Sequence, residues 1–144
     1  MKVLYVEDDP LDASYARQEL HRTAPQFELD IVSTRREAIA RLELPDAHYE
    51  IVLTDMHLSD GDGLGLLTHI RTHALPLPVV MISGTGSEET IVSALKAGAD
   101  DYVVKTKDYL ARLPATLESA LHRFKAETTR RARVLRVLYA EDNA

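Results

Sequence analysis

Ile51-Val52-Leu53-Thr54-Asp55-Met56-His57-Leu58-Ser59-Asp60-Gly61-Asp62-Gly63 runs from a continuous apolar stretch into an aspartate and then into an acidic, glycine-bearing loop. An unbroken apolar run of strand length fits a strand covered by helices on both faces. Val3-Leu4-Tyr5-Val6 and Val79-Val80-Met81-Ile82 have the same character, so these three runs are expected at the middle of one sheet. Working outward, strands are expected over Lys2 to Glu7, Glu28 to Ser33, Ile51 to Thr54, Val79 to Ser83 and Asp101 to Val104. Helical periodicity fills Leu11 to Thr23, Arg35 to Leu44, Leu64 to His73 and Glu88 to Ala97, with Pro25, Pro45, Pro76 and Gly98 as stops. A last helix is expected from near Pro114, a good first-turn residue, with Leu117, Leu121 and Phe124 on one face. Strands alternating with helices in this way predict an α/β fold, a doubly wound five-stranded parallel sheet.

Composition narrows the function classes. The chain has 144 residues, 45% hydrophobic and 28% charged, which fits one globular domain with a core and little more. A net charge of -6 argues against broad binding to nucleic acid or an anionic membrane, since both need a cationic surface. The absence of cysteine removes disulfides, thiolate metal sites and cysteine nucleophiles. No apolar run approaches the roughly 18 to 20 residues that span a bilayer, so a cytoplasmic protein is expected.

Ligands of doubly wound sheets sit beyond the carboxyl ends of the strands. The first expected strand ends there in Glu7-Asp8-Asp9, the third in Asp55, the fourth in Ser83 and the fifth in Lys105. Carboxylates gathered in one crevice raise one another's pKa unless a divalent cation or a lysine neutralises them. Carboxylate oxygens with water suit Mg2+, a hard ion that keeps part of its hydration shell. Each residue also has a plainer reading: a helix cap for the Glu7-Asp8-Asp9 cluster, a strand-end hydroxyl for Ser83, a solvated charge for Lys105. Asp9 is expected to act only as a cap. The glycines Gly84 and Gly86 lack the further positions that a nucleotide-binding loop requires.

The set Glu7-Asp8, Asp55, Ser83 and Lys105, each at a strand end, resembles the receiver domain of bacterial response regulators over residues 1 to about 124. That resemblance implies a flavodoxin-like sheet of order 2-1-3-4-5 and Mg2+-dependent phosphorylation of Asp55. The phosphodonor it implies is a histidine kinase, a phosphotransfer protein or a small acyl phosphate. Asp8 and Asp55 would ligate the metal together with the His57 main-chain carbonyl, and Glu7 would help to hold it. Ser83 and Lys105 would contact phosphoryl oxygens, and Tyr102 matches an aromatic that changes rotamer with phosphorylation. The implied protein is a signalling switch that catalyses only its own phosphorylation and dephosphorylation. Its changing surface comprises the helix from Ser87 to Ala97, the fifth strand and the final helix. The His57 side chain is expected to face solvent and tune dephosphorylation. Two departures stand out: Thr106 follows Lys105 where most receivers have proline, and Ser59 replaces a common proline, which should leave the loop after Asp55 freer. The stretches Ser83 to Glu89 and Lys105 to Leu113 resemble a receiver subgroup often joined to sensor, kinase or cyclic-dinucleotide modules.

Arg136-Val137-Leu138-Tyr139-Ala140-Glu141-Asp142-Asn143 repeats Lys2-Val3-Leu4-Tyr5-Val6-Glu7-Asp8-Asp9 with five identities in eight positions. The expected organisation is therefore a receiver over residues 1–126, a helical linker over 127–134 and the first strand of a second receiver over 135–144, cut short. On that reading the downstream domains of the same chain are partners of the first. Two other classes fit less well. A docking-only receiver would not need all five site positions filled, and a haloacid-dehalogenase-type phosphohydrolase would carry its nucleophile in an Asp-x-Asp on the first strand.

Overall fold

The computed structural model describes residues 1–142, with side chains described through residue 138. In chain order the strands are β1 (Lys2–Val6), β2 (Glu28–Val32), β3 (Ile51–Asp55), the two-residue β4 (His57–Leu58) and β5 (Gly61–Asp62), β6 (Val79–Ser83) and β7 (Asp101–Val104). The helices are α1 (Pro10–Thr23), α2 (Arg35–Leu42), α3 (Gly63–Thr72), α4 (Glu88–Lys96) and α5 (Tyr109–Asp142). Five strands pair in parallel in the order β2-β1-β3-β6-β7, which is 2-1-3-4-5 when the strands of this sheet alone are counted. β4 and β5 form a separate antiparallel pair in the loop after β3.

The apolar runs behave as strands buried on both faces because successive side chains point to opposite sides. Val3, Tyr5, Ile51, Leu53, Val80 and Ile82 pack on one side with Ala16 and Leu20 of α1 and Leu113 and Leu117 of α5. Leu4, Val6, Val52, Val79 and Met81 pack on the other with Ala38 of α2, Leu66, Leu67 and Ile70 of α3, and Ala94 of α4. Every residue of β3 and β6 is buried, as the unbroken runs require. At the end of the sheet away from the acids, Arg71 of α3 donates to the carbonyls of Leu77 and Gly98 and to Asp100, whose carboxylate also accepts from Val79 N. One guanidinium thus fixes α3 against the starts of β6 and β7.

Two expectations change near the C-terminus. The last helix starts at Tyr109, five residues before Pro114, which lies inside it. Tyr109, Leu110 and Leu113 are buried with Leu117, Ala120 and Leu121, so one apolar face extends upstream of the proline and its burial outweighs the lost N–H. The backbone from Val134 to Asp142 continues α5 as helix where a strand from residue 135 was expected. A parallel strand needs neighbours for its N–H and C=O groups, whereas a helix satisfies them within the segment. Asn143 and Ala144 of that expected strand lie outside the described residues.

Candidate functional site

The register brings the chemistry-bearing residues to one edge. Val6 pairs with Val32 on one side and Thr54 on the other, which puts Glu7 beside the end of β3. Asp55 pairs with Ile82, and Ser83 with Val104, so Ser83 and Lys105 emerge at the same edge. Glu7 N donates to Val32 O at 3.0 Å and Met56 N to Ile82 O at 2.8 Å, carrying the ladder one residue past each strand. Helix caps complete the rim. Asp9 Oδ1 accepts from Leu11 N at 2.9 Å, as a capping residue should, and Asp62 Oδ1 accepts from Gly65 N at 2.8 Å.

Three acids bond one lysine. Lys105 Nζ donates to Glu7 Oε1 at 2.5 Å, to Asp12 Oδ2 at 2.8 Å and to Asp55 Oδ2 at 2.9 Å. The second oxygen of Asp55 accepts from His57 N at 2.9 Å. Glu7, Asp8 and Asp55 each offer an oxygen within 4.8 Å of the others. Asp55 is 7% exposed and Glu7 2%, while Asp8 faces solvent.

These surroundings split the two buried carboxyls. Burial pushes Asp55 up, but its contact with Glu7 and the bonds from Lys105 and His57 N–H outweigh that and hold it below the usual carboxylate range. Burial and the contact with Asp55 push Glu7 up to about 8, against the pull of Lys105. Burial pushes the Lys105 ammonium down, yet its three carboxylate partners hold it above the ordinary lysine value. The two shifts run in opposite directions, so Glu7 holds a proton more readily than Asp55.

The family model for the response regulator receiver domain matches residues 3–117. The chain belongs to the response regulator receiver domain family. It is 39% identical over 120 residues to response regulator protein PilR of Pseudomonas aeruginosa, covering 83% of this chain and 26% of PilR. It is 35% identical over 131 residues to methanogenesis regulatory protein FilR1 of Methanothrix harundinacea, covering 90% of this chain and 29% of that one. The chain thus spans between a quarter and a third of the length of these two regulators. Among solved structures it resembles a CheY-like receiver domain protein from Methanospirillum hungatei, with TM-score 0.74, 27% identity and coverage of 88% and 97% of the two chains. It also resembles the beryllofluoride-activated NtrC4 receiver domain dimer, with TM-score 0.73, 26% identity and coverage of 85% and 98%. A receiver is a module of two-component signalling rather than a conventional enzyme. Among the described residues no helix is long and apolar enough to cross a membrane.

The acidic cluster of this receiver fits a hard divalent cation. Glu7 Oε2 is buried with no hydrogen-bond partner among the described residues, although two further carboxylates lie beside it. Oxygen-only donors of this charge match Mg2+, and thiolate-seeking metals have no ligand in a chain without cysteine.

The remaining predicted residues are placed as follows. Ser83 is fully buried, and its hydroxyl lies 3.2 Å from both Thr85 Oγ1 and Thr85 N. Tyr102 is half-buried, with its hydroxyl donating to Thr85 O at 3.4 Å, so Ser83 and Tyr102 both contact the loop between β6 and α4. The described residues contain no cis peptide bond; the chain turns at Thr106, whose N–H donates to Val104 O at 2.7 Å. The His57 side chain is exposed.

The loop after Asp55 is tied rather than loose. Its β4–β5 pair is joined by Asp60, whose two oxygens accept from Arg35 N at 2.9 Å and Arg36 N at 3.0 Å at the start of α2. Gly63 closes the loop, donating its N–H to Met56 O at 2.8 Å. A Cβ there would lie 2.4 Å from Asp55 O and 2.8 Å from Met81 Cε. Gly63→Ala is expected to cost about 2 kcal/mol. A lowered urea midpoint with an unchanged slope checks this, and an unchanged midpoint would contradict the close approach.

Sequence reasoning missed Asp12, Asp60 and the buried hydroxyl of Tyr5, which has no hydrogen-bond partner and is held above the ordinary tyrosine range by burial and by Glu7. The one available signal for Asp12 was its place in the first turn of the helix that follows the Glu7-Asp8-Asp9 cluster.

Proposed function

We propose that this receiver is a Mg2+-dependent phosphoacceptor in which Asp55 takes a phosphoryl group from a histidine kinase or phosphotransfer protein. The observation that carries the reading is the setting of Asp55: a buried carboxylate bonded to Lys105 Nζ and the His57 N–H, at the edge where three acids meet. Glu7, Asp8 and Asp55 would hold the cation, with the His57 main-chain carbonyl as a further ligand from the family pattern. When bound, the cation neutralises charge on the phosphoryl oxygens during transfer. The residues of the chain do the rest. Asp55 attacks phosphorus, forming an acyl phosphate as the phosphorus–nitrogen bond to the donor histidine breaks and its imidazole leaves, while Lys105 presents its ammonium to one phosphoryl oxygen and Ser83 offers a hydroxyl to another. The domain turns over no other substrate.

The signal leaves through α4, β7 and α5. Phosphorylation brings charge and acceptor oxygens beside Ser83, whose present partner is Thr85, the same residue that Tyr102 contacts. Retracting Ser83 from Thr85 frees the β6–α4 loop to move and Tyr102 to change rotamer. The repeat of Lys2 to Asp9 within residues 136–143 supports a second receiver copy after a helical linker at 127–134, with this domain signalling to its own downstream chain. Beryllofluoride with Mg2+ tests the switch. Amide shifts over residues 83–105 and the first half of α5 are expected, whereas shifts confined to residues 7–12 and 55–62 would refute the route.

A further inference from the structure

Lys105 is over-supplied with acids, and one of them does not belong to the cation group. A lysine ammonium has three N–H donors and no acceptor, and here all three point at carboxylates. Glu7 and Asp55 also belong to the set whose oxygens lie within 4.8 Å of one another, and Asp12 does not. A cation held by that set would share Glu7 and Asp55 with Lys105 and compete with the ammonium for their charge. Asp12 is the partner of Lys105 that such a cation would leave untouched. Its place suits that role. It stands in the first turn of α1, where the helix field favours a negative charge, and its N–H is capped by Asp9 Oδ1 at 3.4 Å. An ordinary ion pair with a 41% exposed carboxylate is worth little, but the lysine side chain is only 13% exposed, and Asp12 is the one of its three acceptors that stands outside the cation group.

We propose that Asp12 is the positioning residue for Lys105, holding its ammonium over the site of phosphoryl transfer while the cation occupies Glu7, Asp8 and Asp55. This rests on the reading of Asp55 as phosphoacceptor. It assigns to α1 a direct part in the site.

The test uses the whole chain with acetyl phosphate and Mg2+. Asp12→Asn is expected to slow phosphorylation of Asp55 about tenfold, the size of one charge-assisted hydrogen bond. Asp12→Glu should restore most of the rate, and Asp12→Asn should add nothing in a Lys105→Met background. A second readout does not depend on turnover. With Mg2+ bound, the nitrogen NMR signal of the Lys105 ammonium, identified by its loss in Lys105→Met, should stay protected from solvent exchange in the wild type and lose that protection in Asp12→Asn. An equal slowing by Asp12→Asn in both backgrounds, or an ammonium equally protected with and without Asp12, would overturn the proposal. If the wild type takes up no phosphoryl group, the reading of Asp55 fails, while the ammonium signal still decides whether Asp12 holds Lys105.

Discussion

With divalent cations chelated, or with Asp8 replaced by asparagine, phosphoryl transfer to Asp55 is expected to fall by about 100-fold or more. Glu7, Asp8, Asp12 and Asp55 crowd one strand edge, and Lys105 is the cation bonded to three of them. Even with a proton on Glu7, one ammonium faces three remaining carboxylates. An anionic donor would meet net negative charge, and the charge developing on its oxygens would lack a counterweight. Asp9 provides the control. It caps α1 and is absent from the cation group, and asparagine caps as well as aspartate, so Asp9→Asn should leave transfer close to wild type. Phosphoprotein formation followed by intact mass would show the contrast. Equal loss in Asp8→Asn and Asp9→Asn would mean that the effect reflects α1 rather than a cation.

The second large effect is on stability and has a definite sign. Glu7 binds its proton more tightly in the folded protein, at about 8, than its ordinary value of 4.5. Its contribution to stability is therefore full below about pH 4.5 and is lost as pH rises through about 8. Asp55 and Asp60 shift the other way, so their contributions are complete above the carboxylate range and flat over the window in question. The metal-free protein should lose on the order of a few kcal/mol between about pH 5 and pH 8. Urea unfolding at several pH values measures this. Glu7→Gln should flatten the slope, and Mg2+ should restore stability most at the alkaline end, where the ionised carboxylate becomes a ligand. A wild-type profile that is flat from pH 5 to 8 would show that Glu7 is not the proton carrier.

The parts of this protein legible in its sequence are those that the parallel sheet dictates. A strand buried on both faces is a nearly unbroken apolar run, and the polar residue at its carboxyl end lies at the edge where ligands bind, so Glu7, Asp55 and Ser83 could be placed from their neighbours, while Lys105 follows the half-buried β7 at the same edge. Asp12 and Asp60 were not legible, because an acid in a first helical turn or a loop is ordinary there and only three-dimensional packing shows what it bonds. The start of α5 was misplaced for a related reason. Pro114 marks a helix start by local rules, whereas burial of Tyr109, Leu110 and Leu113 is a tertiary effect that overrides them. The segment after Val134 shows the reverse case. A run that shares five of eight residues with Lys2 to Asp9 continues a helix, since among the described residues no strand pairs with it and its N–H and C=O groups pair within the segment.

Asp55 is expected to carry the phosphoryl group. Incubating the protein with acetyl phosphate and Mg2+, then mapping the modification by peptide mass spectrometry, tests it most directly. A single phosphoryl group on the peptide that contains Asp55, absent from Asp55→Asn, is the predicted result. Phosphorylation at another residue in the wild type, or undiminished uptake by a folded Asp55→Asn protein, would contradict it.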